Sequence, residues 1–156
     1  MEISLAEKLN IAILRGGKGY EEWNNLHHLP DYLSLILHEL LIRKKATQKD
    51  LVNLSDLPKQ SINKGIKILQ DQDYLELIVN PKDKRQKYCR LTPSGKKYAQ
   101  QTMQPLMDIE KEVVRKMGAE KMHQFISLNE EWNDYFWDLL RKEDRNEHTK
   151  DIKTTL

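Results

Sequence analysis

Cysteine is almost absent from this chain: Cys89 is the single one in 156 residues. One thiol excludes an intrachain disulfide and a multi-cysteine zinc site within one chain. No apolar run approaches membrane-spanning length and no basic-then-apolar leader opens the sequence, so a cytoplasmic protein is expected. The short patterns of the common enzyme classes are missing as well. There is no nucleophile elbow, no phosphate-cradling glycine loop and no zinc-protease helix. The expectation is a non-enzyme with no catalytic residue and no cofactor.

What the chain has is charge. Apolar residues make up 38% and charged residues 32%, a polar composition on a length suited to one domain or one protomer. The net charge of +2 conceals an asymmetry. From Lys59 to Lys97 there are ten basic residues against four acidic ones, a surplus of six, which leaves the remainder of the chain at −4. A basic lobe on an otherwise acidic protein is the electrostatic footprint of a DNA reader.

The basic stretch has a readable order of elements. Between Thr47 and Gly95 come a short helix, a turn, a second helix and two strands joined by a charged loop, the arrangement of a winged helix-turn-helix. The second helix is expected from Pro58 to Gln70, with Ser55 or Asp56 capping its free amides. Ile62, Ile66 and Leu69 recur at helical spacing and face a core. The other face carries Lys59, Gln60, Ser61, Asn63, Lys64 and Lys67, donors suited to base edges and phosphates in a major groove. In the next run, Leu75, Leu77 and Val79 alternate with Glu76 and Ile78, which predicts a strand packed on one face. Its tip, Lys82, Asp83, Lys84, Arg85 and Lys87, suits a wing along a DNA backbone, with Arg85 directed to a minor groove and Asp83 orienting it.

The Asp83-Lys84-Arg85 tip and the following Leu91-Thr92-Pro93-Ser94-Gly95, in this order of elements, resemble the multiple antibiotic resistance regulator (MarR) family, whose wing carries Asp-x-Arg and whose last wing strand enters a long helix through Leu-Thr-x-x-Gly. The resemblance extends from about Leu33 to Leu140. It implies a mainly α fold with a small two- to three-stranded β-wing, and a homodimer whose first and last helices pair. It also implies a palindromic operator in double-stranded DNA and release by a small aromatic or amphipathic effector. The sequence departs from the family pattern at Asp73, a position that is usually Gly, and at Gly16-Gly17 in a first helix that is long in the family; Gly65 inside the recognition helix is also unusual.

The rest of the chain is read around that lobe. Residues 1–30 are expected to form an N-terminal dimerisation helix region, loosened or broken at Gly16-Gly17 and Gly19. Residues 31–92 are the winged lobe, with an apolar helix from Tyr32 to Arg43 and Thr47 capping a short helix that turns Leu51, Val52 and Leu54 inward. Residues 93–143 supply C-terminal dimerisation helices: one opened by Thr92-Pro93, bent by Pro105 and ended by Gly118, then another from Ala119 to Lys142. The second bears an apolar stripe, Met122, Phe125, Ile126, Trp132, Phe136, Leu139 and Leu140, assigned to the dimer interface. Residues 144–156 read as a polar tail. Tyr20, Trp23, His27, His28 and His38 are the candidate effector-binding rings. Cys89 reads as a buried, inert thiol. The leading reading is a cytoplasmic, homodimeric, MarR-like DNA-binding regulator, expected to be a repressor. The alternatives are a winged-helix protein-interaction module docking an acidic partner, and a metal-responsive regulator using His27, His28, His38 and Glu39.

Overall fold

The computed structural model describes residues 2–154, with side chains described from 2 to 145. The elements in chain order are α1 (Leu5–Leu26), α2 (Asp31–Arg43), β1 (Lys45–Thr47), α3 (Gln48–Asn53), α4 (Lys59–Asp71), β2 (Leu75–Val79), β3 (Lys87–Leu91), α5 (Pro93–Met117) and α6 (Ala119–Thr154). The strands form one antiparallel sheet in the order β1-β3-β2, so the fold is mainly α with a three-stranded wing sheet. β1 is too short to show alternation in the sequence; it pairs Ala46 with Cys89. The chain divides into two compact units, Met1–Met107 and Asp108–Leu156.

The first unit is built on an apolar cluster. Ile36 and Leu37 of α2, Leu51 of α3, and Ile62 and Leu69 of α4 are fully buried beside Cys89 and Met103. Each buried aliphatic side chain contributes roughly 1.5–3 kcal/mol against exposure. α1 joins this cluster through Trp23. Its start is fixed by a capping box: Ser4 Oγ accepts from the Glu7 amide at 3.2 Å and Glu7 Oε2 accepts from the Ser4 amide at 2.8 Å.

α1 then runs unbroken through Gly16, Gly17 and Gly19, against the expected interruption. Glycine lowers helix stability by about 1 kcal/mol relative to alanine but raises no steric bar. A capped helix of 22 residues anchored at Trp23 sustains it. The helix closes in a Schellman motif: His28 N–H donates to Asn25 O and Leu29 N–H to Asn24 O, with His28 at φ 50°.

Gly65 is the point where α4 meets α2. A Cβ there would lie 2.6 Å from Ile36 Cδ1 and 2.9 Å from Tyr32 Cδ2, so glycine sets the close approach of the two helices. The start of α4 differs from expectation. Pro58 occupies the N-cap position without a side-chain cap, while Ser55 Oγ accepts from Leu57 N–H instead. Neither Ser55 nor Asp56 caps the helix, because Leu57 and Pro58 intervene. At the other end Tyr74 N–H donates to Leu69 O and Asp73 N–H to Gln70 O, again a Schellman closure, with Asp73 at φ 57° where glycine is favoured.

The same junction receives α5. Thr92 and Ser94 hydroxyls both donate to Asp73 O, at 2.6 and 3.1 Å, and Thr92 N–H donates to Tyr74 O at 3.1 Å. Thr92 Oγ1 also accepts from Gly95 N–H, capping α5. This is the physical content of the Leu91-Thr92-Pro93-Ser94-Gly95 run. A Cβ on Gly95 would fall 1.8 Å from Tyr74 O.

Two burial expectations fail. Leu77 and Val79 are 40% and 49% exposed: β2 is an edge strand, so Leu77 stays open although its partner Cys89, in the central strand between β1 and β2, is buried. Leu54, expected inward, is also exposed at the end of α3. In the second unit, Gly118 ends α5 with φ 83°. α6 then continues to Thr154, well past Lys142 and through most of the expected tail. Residues 155 and 156 of that tail lie outside the described residues, as do the side chains from 146 onward.

Candidate functional site

α4 presents two unlike faces because its apolar residues follow the helical period. Ile62, Gly65, Ile66 and Leu69 are buried, while Lys59, Gln60, Asn63, Lys64 and Lys67 are exposed and Ser61 is half-buried. Three of the polar residues are held by neighbours. Asn63 Oδ1 accepts from Gln48 Nε2 at the start of α3. Lys64 Nζ lies 5.6 Å from the centre of the Tyr32 ring, and Lys67 pairs with Asp71 at 3.4 Å. The Gln48 contact leaves the Asn63 amide nitrogen available as a donor. Gln48 was not singled out in the sequence, where it reads only as a first-turn residue of α3.

The wing is organised from within by two short polar side chains. Asn80 is buried; its Nδ2 donates to Gln86 Oε1 at 3.0 Å and to the Tyr88 hydroxyl at 3.2 Å, and its Oδ1 accepts from Lys82 N–H at 3.0 Å. Asp83 Oδ1 accepts from the Arg85 backbone N–H at 3.0 Å. Asp83 therefore shapes the turn through the backbone, in the manner of an Asx turn, instead of orienting the guanidinium as expected. Lys82, Lys84, Arg85 and Lys87 project outward, and among the described residues neither they nor Lys59 form an ion pair. Arg90, by contrast, is tied to Glu76 across the strands at 2.7 Å. Between the wing and α3–α4 lies a hollow of about 400 Å³, edged by Gln48, Lys49, Arg85 and Lys87 over Ile66, Leu77 and Cys89. A basic rim, outward-facing amides and an internally hydrogen-bonded wing together suit a phosphate backbone.

Cys89 is fully buried at the foot of this hollow, and burial pushes its thiol up to about 11. A thiol so placed stays protonated near neutrality and is a poor nucleophile.

A second and larger cleft, about 710 Å³, opens between α1, the start of α2, the turn before α4, and α5. Its floor is apolar, with Leu29, Leu35, Leu57, Met103 and Leu106, and its polar lining includes Tyr20, Glu21, Asn24, Asp31, Ser34, His38 and Asp56. Of the five candidate rings, Tyr20 and His38 line it and the others do not. Trp23 is buried in the core and stacks on His27 with ring centroids 4.3 Å apart. His27 and His28 serve the closure of α1. The cleft-lining Glu21, Asn24, Ser34 and Asp56 were missed, since residues from separate helices carry no joint sequence signal. His38 Nδ1 approaches Glu39 at 3.8 Å, but among the described residues no three His, Cys, Asp or Glu side chains come together as a metal-ligand set. His27, His28, His38 and Glu39 are thus not assembled into one. Nor is any described helix long and apolar enough to cross a membrane.

Residues 34–86, the heart of this lobe, match the model of the MarR family. No curated protein matches the chain in sequence. Among solved structures, a MarR family regulator from Neisseria meningitidis is similar over 90% of this chain and 99% of its own, with a TM-score of 0.77 at 20% identity. NadR in complex with 4-hydroxyphenylacetate is similar over 85% of this chain and 96% of its own, at TM-score 0.72 and 18% identity. The PcaV transcriptional regulator of Streptomyces coelicolor, in complex with its natural ligand, covers 86% of this chain and 97% of its own, at TM-score 0.62 and 16% identity. At these identities the likenesses speak for the fold.

Proposed function

We propose that the chain is a MarR family winged-helix regulator that binds a palindromic operator in double-stranded DNA as a homodimer and acts in the cytoplasm as a repressor. The observation that carries this reading is the run of exposed cations on one side of the lobe. Lys59 at the front of α4 and Lys82, Lys84, Arg85 and Lys87 on the wing have no ion-pair partner among the described residues. In this reading α4 enters the major groove, Arg85 reaches the flanking minor groove, and two half-sites lie about one helical turn apart.

Support for a homodimer comes from apolar surface that the described chain leaves uncovered. On α6, Phe125, Ile126, Phe136, Leu139 and Leu140 are exposed, as are Ile109, Val113 and Val114 on α5 and Ile11, Ile13 and Leu14 on α1. Exposed apolar side chains in such number, within each of the two units taken by itself, suit a partner surface better than open water.

The large cleft is the effector site in this reading. Two structural relatives are ligand complexes by name, and the cleft falls within the size range of small-molecule sites. Its wall includes Ser55, Asp56 and Leu57, the turn that delivers the chain to α4. An effector touching that turn would bias where the recognition helix starts, and so the spacing of the two helices on DNA.

The test is selection of binding sites from randomised DNA with the purified protein, followed by salt titration of the best site. A palindromic site is expected, bound at least a thousandfold more tightly than random DNA. If half to all of the five unpaired cations in each protomer contact phosphates, log K should fall against log salt with a slope of about −4 to −9. Salt-sensitive binding without sequence preference, or no binding, refutes the proposal and favours an acidic protein partner for the same face.

A further inference from the structure

We propose that the large cleft selects an amphipathic cation, a protonated amine or quaternary ammonium carried on an apolar body of about ring size. This deepens the effector reading above and rests on it. Three carboxylates converge on the cleft from three separate elements: Glu21 of α1, Asp31 at the start of α2, and Asp56 in the turn before α4. No Lys or Arg lines it, and His38 is its single basic side chain. Nor is any of the three carboxylates neutralised from elsewhere, since none has an ion pair among the described residues. Asp31 Oδ1 accepts from the Tyr32 amide at 2.8 Å, which fixes that carboxylate at the cleft mouth and leaves its second oxygen available.

The remaining lining sets the shape of the ligand. The three carboxylates are exposed and sit toward the rim, whereas Met103 and Leu106 are buried and form an apolar floor with Leu35 and Leu57. A ligand that satisfies both ends places its charged head at the rim and its hydrocarbon inward. An anion of the same shape would meet three like charges and no counter-charge. Even with near-aqueous screening, each carboxylate at about 7 Å changes binding of a unit charge by roughly a factor of two to three. Acting together, and with opposite sign for the two heads, they separate cation from anion by on the order of tenfold or more.

Three probes of one shape test this by calorimetry with the full-length protein and no DNA: tyramine, 3-(4-hydroxyphenyl)propionate and 4-ethylphenol, which are cationic, anionic and neutral. Tyramine is expected to bind at least tenfold more tightly than the propionate, with 4-ethylphenol between them. Asp56→Asn and Glu21→Gln should each weaken tyramine several-fold, strengthen the propionate and leave 4-ethylphenol unchanged. A propionate that binds as tightly as tyramine, or variants that shift all three probes alike, overturns the charge assignment. Failure of all three to bind at millimolar concentration overturns the site. Operator release is measured separately. Tyramine bound with the expected selectivity but without effect on operator affinity upholds the charge assignment and overturns the effector reading beneath it.

Discussion

Replacing Gly95 with alanine should detach the start of α5 from the end of α4. The new Cβ would lie 1.8 Å from Tyr74 O, 2.6 Å from its carbonyl carbon and 2.8 Å from its Cα. An ordinary C···O approach is about 3.3 Å, so the two backbones must part by roughly 1.5 Å. That displacement breaks the three hydrogen bonds at the junction, Thr92 N–H to Tyr74 O and the Thr92 and Ser94 hydroxyls to Asp73 O. At about 0.5–1.5 kcal/mol each they account for some 3 kcal/mol, and overpacking adds about 1–3. Alanine's helical preference returns at most about 1 kcal/mol. The net loss is about 3–5 kcal/mol, or a fall in Tm of roughly 10 °C for a chain of this size. Urea unfolding followed by circular dichroism at fixed protomer concentration measures it. A loss under about 1 kcal/mol would falsify the account of the Leu-Thr-x-x-Gly run as a backbone docking motif. Gly16→Ala is the companion control. Nothing lies within 4 Å of its added Cβ, so it should gain up to about 1 kcal/mol.

Arg85→Ala should lower operator affinity by about 10- to 100-fold and reduce the salt slope by about 1 per protomer; filter binding at several salt concentrations reads both, and unchanged affinity refutes the wing assignment. Asn80→Ala removes no charge but frees Gln86 and Tyr88, so affinity should fall several-fold while the salt slope holds; a changed slope argues against a purely positioning role for Asn80. Thr47 hydrogen bonds hold the Asp50 carboxyl below the usual carboxylate range. The folded pKa is the lower one, so its stabilisation is complete above the unfolded value near about 4 and is lost as acidification passes through the folded one. Asp50→Asn should therefore be less stable than the parent at pH 7, and the gap should narrow at acid pH; a gap independent of pH sinks the assignment. Cys89, with its thiol pushed up to about 11, should resist iodoacetamide at pH 8 in the folded protein and react once urea unfolds it; fast native labelling contradicts its burial.

Local signals in the sequence carried much of the lobe. Ile62, Ile66 and Leu69 revealed the buried face of α4 through their spacing, and Thr47 and Thr92 marked helix starts that both close as caps. Asp73 stood out as a residue in a glycine position, and it does adopt the left-handed backbone. Failures arose where tertiary position decides. In β2 the alternation predicts Leu75, Leu77 and Val79 inside, yet only Leu75 is buried and Glu76 and Ile78 are less exposed than Leu77 and Val79, because a strand's place at the edge of its sheet is not encoded in alternation. His27 and His28 read as ligand chemistry in the sequence, whereas in the fold they take part in the backbone closure of α1. The cleft was half legible. Tyr20 and His38 could be picked out as rings, but Glu21, Asp31 and Asp56, which set its charge, are ordinary surface carboxylates until three elements meet.

The corners of the lobe carry a consequence for how this chain can change. His28, Lys44 and Asp73 all hold positive φ, at the ends of α1, α2 and α4, where side chains with a Cβ are disfavoured. Stability is thus withheld at three helix ends, none of them a residue assigned to contact with DNA. A single drift to glycine at such a corner would release on the order of 1 kcal/mol. That is comparable to the cost of an average substitution, so it can offset a disruptive exchange on α4 or in the cleft. Residues on α4 or in the cleft can then diversify on an unchanged scaffold, with the compensating step taken at a corner and the new side chains appearing elsewhere.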